Sequence, residues 1–310
     1  MARTTGIDFH PAKHIDFKPP SKIYSMSDIL LKKSPISDFA VSEPFQLFTP
    51  EAIACMREEI FKPEVMNNFQ YSSNLAQCQL RGYAAKAAPF LYDTWKHPET
   101  LAIISKIAGI DLVPEMDFEI AHINLSSNPG AQKGEDLAAI RDRQLFEEDE
   151  GIAGCPWEDD KPIVDWHTDA YPFGRYIEHQ ALRAFGSTER ITSVTSFRPK
   201  QASFPDDTVL TTVRPISDLS ELYLQFSEYR LQMLEERIRQ QLHLLRDTER
   251  GHRKFDTVAM KGFLSEQEVF LCHMNKQLVP DQFVKKGEID DSHLFSDFSS
   301  SSKKRRLAEA

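Results

Sequence analysis

The sequence predicts an α+β chain, with a run of strands set between N-terminal helices and one long C-terminal helix. Three observations predict it. Apolar residues recur at helical spacing in "LFTPEAIACMREEIF" and "HPETLAIISKIAGIDL". The period changes to alternation in "MDFEIAHINLS", and strand-forming residues gather in "GRYIEHQAL" and "RITSVTSF". An amphipathic run, "SDLSELYLQFSEYRLQMLEERIRQQLHLLRD", then begins near Ser217.

Residues 1–40 are polar and punctuated by proline, and they read as an arm or loosely packed extension. In the first helix Thr49 suits the N-cap and Pro50 the first helical position, with Ile53, Met56 and Ile60 on one stripe. In the second, Leu101, Ile104 and Ile107 form the stripe and Gly109 falls just past the end. In the alternating segment, Phe118, Ile120, His122 and Asn124 share one face of a predicted strand, with Glu119, Ala121, Ile123 and Leu125 on the other. The following run to Pro162 is long and acidic, and lacks the carboxylate spacing of a calcium loop. The long helix carries two adjacent stripes. Leu219, Leu222, Phe226, Tyr229 and Met233 make the first, and Leu231, Leu234, Ile238, Leu242 and Leu245 the second. A helix packed along the domain is the simpler reading, and a partner-binding helix the other. These shifts divide the chain into an extension (1–40), a core (41–200), a helical extension (201–295) and a basic tail (296–310).

Composition narrows the class. Of 310 residues, 41% are hydrophobic and 27% charged, the balance of an ordinary globular protein. A net charge of −10 disfavours a general nucleic-acid binder, which needs a basic face. Cys55, Cys78, Cys155 and Cys272 form no C-x-x-C pair and read as reduced thiols. No apolar run approaches a membrane span, and the N-terminus lacks the apolar segment of a secretory signal, so the expected location is cytoplasmic. Lys303–Arg306 is four basic residues in a low-complexity tail, more often solvated charge than a nuclear localisation signal.

The chemistry gathers in "DWHTDAYPFGRYIEH". His167 and Asp169 lie two apart, so on a strand they share a face, and His179 follows. Two histidines and one carboxylate with open positions suit non-haem Fe(II). A lone His-x-Asp is weak evidence, since a surface His and Asp in a turn give the same pattern. Arg190 and Thr192 then stand two apart. A guanidinium beside a hydroxyl is a receptor for a carboxylate, because the planar fork donates two parallel hydrogen bonds. Taken alone, Arg190 is an exposed strand cation.

His167-Thr-Asp169, His179 and Arg190-x-Thr192, in that order, resemble the Fe(II)/2-oxoglutarate-dependent dioxygenases. "PFQLFTPEAI", "FEIAHINLS", "VTSFRP" and "DDTVLTTVRPISDLSELY" extend the resemblance over roughly residues 40 to 245, the last looking like fungal members. The resemblance implies that His167, Asp169 and His179 bind Fe(II). Arg190, helped by Thr192, would hold the distal carboxylate of the cosubstrate 2-oxoglutarate. Asn124 is a further candidate contact, although for Asn124 and His122 an ordinary place in a sheet accounts for them equally. Such enzymes use dioxygen to convert 2-oxoglutarate to succinate and carbon dioxide while oxidising a carbon of a small molecule; the protein's part is orientation and a dry pocket. No catalytic residue beyond the metal ligands is implied.

The chain departs from that family at one place. Only Ala170 to Glu178 separate Asp169 from His179. The family's double-stranded β-helix sets four strands there, roughly 40 residues. We read an internal deletion, which leaves a partial jelly-roll core. The two ligand strands, neighbours in the full barrel, would be joined as a hairpin centred on Phe173, with Gly174 in the left-handed position and His167 paired with His179. Turnover is then expected to be impaired by the missing wall. The alternatives are a non-catalytic remnant acting through metal binding or its helix, and, last, a zinc protein using the same ligands, which leaves Arg190 unexplained.

Overall fold

The computed structural model describes residues 7–29, 36–74, 78–127 and 189–289. Within them the chain is a mixed α and β protein with small antiparallel sheets. A four-stranded sheet runs in the order β3 (Gln70–Tyr71), β4 (Cys78–Leu80), β6 (His122–Ser127), β7 (Glu189–Val194). Two ribbons accompany it, β1 (Ile23–Ser25) with β2 (Phe39–Ser42) and β5 (Leu112–Pro114) with β8 (Phe197–Pro199). The expected partial barrel is not seen among the described residues.

The predicted helices form where their end signals stand. Thr49 Oγ1 accepts from the Ala52 amide and opens α2 (Pro50–Ile60), which buries Met56 and Ile60. Around it stand α1 (Pro11–His14), α3 (Pro63–Asn68), α4 (Ala84–Ala87) and α5 (Pro89–Lys96); the second predicted helix is α6 (Pro98–Ala108), which buries Ile104 and Ile107, while Leu101 is only half-buried. Gly109 ends it at φ 73°, in the left-handed region, where an added Cβ would lie 2.5 Å from the Phe39 ring. α2, α5 and α6 pack with Leu80, Ile120 and Ile123 into the main core.

Two expectations are corrected. The described part of the N-terminal extension is anchored rather than loose: Phe9 and His14 are buried, their rings against Phe90, and Met26 is buried against Ala40 of β2. The strand predicted through "MDFEIAHINLS" begins only at His122. Asp117–Glu119 is a 3-10 turn and Ala121 sits at φ 55°. The turn exists because it satisfies groups that a strand would not. The Ala121 amide donates to Thr195 Oγ1 (3.0 Å), Glu119 meets the buried Arg81, and Phe118 plugs a second core. Apolar residues on both faces signalled burial there, not pleat.

The second core is built on α7 (Leu219–Arg250), capped by Asp218, whose carboxylate accepts from the Glu221 amide. At a rise of about 1.5 Å per residue it is about 48 Å long. Its first stripe, Leu219, Leu222, Phe226, Tyr229 and Met233, is buried as predicted. Against it lies α8 (Thr257–Gln277), through Phe270 and Met274. Among the described residues no helix is long and apolar enough to cross a membrane.

Beside this core the Glu115 carboxylate accepts from the Thr208 and Tyr229 hydroxyls. Burial, then the nearby Asp206 and Glu119 charges, push its pKa up to about 8 from an ordinary 4.5. The folded state therefore keeps a proton that the unfolded chain gives up. The stabilisation is fully present below about pH 4.5 and is lost as pH rises towards about 8. Thermal midpoints measured between these values are expected to fall with pH, and Glu115→Gln to flatten the slope. A variant slope equal to the parent's would sink the assignment.

Candidate functional site

The four-stranded sheet has an apolar and a polar side. Leu80 and Ile123 are fully buried, and Leu125 and Ile191 pack on the same helical core. Alternation turns the intervening residues to the opposite face. The register sets Gln79 opposite Asn124 and Asn124 opposite Thr192, one residue from each of three adjacent strands. Arg190 lies opposite Ser126, two positions from Thr192.

Hydrogen bonds hold this row in one arrangement. Ser73 Oγ donates to Gln79 Oε1 (2.8 Å), and Gln79 Nε2 donates to Asn124 Oδ1 (3.0 Å). With its oxygen engaged inward, Asn124 is left with its NH2 group to offer a ligand. Arg81 stands behind, fully buried. Its guanidinium pairs with Glu119, donates from Nε to Ser217 Oγ (3.2 Å), and lies 2.8 Å from His122 Nδ1. Arginine only donates, so Nδ1 accepts and the His122 proton sits on Nε2. Burial and then the Arg81 charge hold His122 well below the usual histidine range, against an opposing hydrogen bond to Asn124. His122 is thus a neutral, positioned residue of the sheet.

Of the residues singled out in the sequence, Asn124 and Thr192 are brought together on the polar face, and His122 stands beside them. The backbone of Arg190 falls in register with them. His167, Asp169 and His179, the Phe173 hairpin, Cys155 and Lys303–Arg306 lie outside the described residues. Cys55, Cys78 and Cys272 are free thiols. No cluster of three His, Cys, Asp or Glu that could hold a metal occurs among the described residues. Sequence reasoning missed Gln79 and Arg81. The signal was available in "CQLRGY", where Gln79 and Arg81 flank Leu80 at strand spacing, as His122 and Asn124 flank Ile123.

An amide and a hydroxyl from adjacent strands stand opposite one another on this face, groups of the kind that donate to a carboxylate oxygen. Comparison with family models, with curated proteins and with solved structures found no match.

Proposed function

We propose that the chain is an Fe(II)/2-oxoglutarate dioxygenase-like protein that oxidises a small molecule, with turnover impaired by its shortened core. One observation carries the reading: the β6–β7 register that opposes Asn124 to Thr192 and Ser126 to Arg190. Arg190 and Thr192 point to a carboxylate through the motif that they share with the family, and Asn124 through its place on the preceding strand. A shared register supports their acting together, and the donor character of the pair fits a dicarboxylate cosubstrate. In this reading Arg190 and Thr192 hold the distal carboxylate of 2-oxoglutarate, and the Asn124 NH2 donates to the same molecule. His167, Asp169 and His179 would hold the Fe(II), which supplies dioxygen activation when bound. The antiparallel sheet is compatible with one wall of a partial jelly roll.

Calorimetry under anaerobic conditions tests this. One equivalent of Fe(II) is expected to bind and Asp169→Ala to abolish it. With iron present, 2-oxoglutarate is expected to bind, and Arg190→Ala to weaken it by about tenfold or more, the loss of a charge-assisted pair. Fe(II) binding unaffected by Asp169→Ala would overturn the assignment. Succinate release should remain far below that of an intact oxygenase.

A second reading, a non-catalytic remnant acting through its helix, is favoured by one observation. Three of the five residues in the second stripe of α7 are turned to solvent, Leu231 at 52% and Ile238 and Leu242 at 44% exposure, while Leu234 and Leu245 are half-buried.

A further inference from the structure

The exposed stripe has a charge pattern that selects its occupant. Leu224, Leu231, Ile238 and Leu242 are exposed along α7. They stand seven, seven and four residues apart, one line on a helix. Beside that line runs a second, made of Glu228, Glu235, Arg239 and Arg246, all exposed. Glu228, Glu235 and Arg246 each follow a stripe residue by four positions, and are its neighbours on the same flank. The two acids lie towards the helix N-terminus and the two arginines towards its C-terminus. Positions 228 and 246, and positions 235 and 239, share one midpoint, residue 237.

A line that is acidic, then basic, about a single centre is complementary to itself when reversed. We propose that α7 pairs antiparallel with α7 of a second copy, about a two-fold axis near residue 237, to form a homodimer. Glu228 then faces the partner's Arg246, and Glu235 the partner's Arg239. Leu231 faces the partner's Leu242, and the two Ile238 side chains meet near the axis. Only an antiparallel pair brings this flank against the same flank of the partner. Glu235 already pairs with Arg239 along its own helix, so the two copies close a four-membered charge network. The flank is balanced within a chain of net charge −10, so the surfaces that meet do not share the repulsion of the whole. α8 does not cover the stripe. It packs on the buried side of α7 and touches Gln241 through Met260. A helix pair of about six turns buries on the order of 1,200 Å² in all, the low end of specific interfaces, so the dimer is concentration-dependent rather than obligate.

The full chain is tested by sedimentation and light scattering over a concentration series. The mass is expected to rise from one chain to two. Ile238→Glu, at an exposed position, should raise the dissociation constant by about tenfold or more. Glu228→Arg with Glu235→Arg makes the flank uniformly basic and should also abolish the dimer. Adding Arg239→Glu and Arg246→Glu reverses the whole pattern and should restore it. Circular dichroism checks that each variant keeps its helix content. A single-chain mass at every concentration overturns the proposal, and means that the chain itself or a different protein covers the stripe. A dimer that survives Ile238→Glu, or one that the fourfold reversal does not restore, also overturns it. Mass is read without iron or 2-oxoglutarate, so this result stands apart from the dioxygenase reading.

Discussion

Replacing Arg81 by leucine is expected to cost about 3–5 kcal/mol, because it leaves one member of a buried ion pair without the other. The side chain is fully buried and ties three parts of the fold together. It reaches Glu119 in the turn before β6, Ser217 just before α7, and His122 at the start of β6, and it lies over the Phe118 ring with 5.5 Å to the centroid. Without it the Glu119 carboxylate is left uncompensated in the core, and it takes up a proton or water enters. Adding Glu119→Gln to Arg81→Leu should recover a large part of the loss, since the partners are coupled rather than additive. Urea denaturation of the single and double variants measures this. A loss below about 1 kcal/mol for Arg81→Leu would show that the pair contributes little. The His122 pKa should rise in the single variant, because the Arg81 charge is one of the causes holding it down.

The second large effect belongs to Arg230. It is fully buried on α7 and donates to both the backbone oxygen (2.8 Å) and Oδ1 (2.9 Å) of Asp206. It also donates to the Phe270 carbonyl of α8 (3.3 Å) and stacks on the Phe270 ring at 3.8 Å. Among the described residues Asp206 Oδ2 has no hydrogen-bond partner, and Arg230 is the cation that forms an ion pair with Asp206. Arg230→Ala is expected to destabilise by about 3–5 kcal/mol, the cost of a stranded buried carboxylate, with lost packing on the phenylalanine adding to it. Arg230→Lys should rescue only in part, because an ammonium cannot reproduce the fork or the stacking. Thermal unfolding read separately by helix content and by tyrosine signal would report this. Equal stability of Arg230→Ala and the parent would contradict it.

Both arginines show where a sequence reading stops. In sequence each is a charged residue in an otherwise ordinary segment, Arg81 after a short strand and Arg230 among the charges of a long helix. Their acids lie 38 and 24 positions away and are bland by themselves. Only packing brings each pair together and removes it from water. The helices were legible for the opposite reason. Capping and stripe formation are set within a few residues, so Thr49–Pro50, Gly109 and the Leu219–Met233 stripe announce themselves locally. Where local pattern and long-range contact disagreed, contact won. Phe118 and Ile120 alternate like a strand, yet Arg81 and Thr195 hold the backbone in a turn. The site was legible in part. Arg190 and Thr192 carried a motif, whereas the strand spacing of Gln79 and Arg81 in "CQLRGY" gains its meaning from the register that sets Gln79 opposite Asn124 and from the Arg81 contact with His122.

The sequence by itself determined the local elements: helix starts and stops, the buried stripe of α7, and strand character near Asn124 and Thr192. It also carried the one resemblance that suggests iron and 2-oxoglutarate. Those signals depend on spacing along the chain, which any reader of the sequence has. The tertiary structure alone decided that Phe9, His14 and Met26 of the N-terminal segment are buried, that the strand starts at His122, that two arginines are buried, and that one stripe of α7 is covered while Leu231, Ile238 and Leu242 of the other are exposed. Each of these depends on which distant surface removes a residue from water, and that is a property of packing, not of spacing.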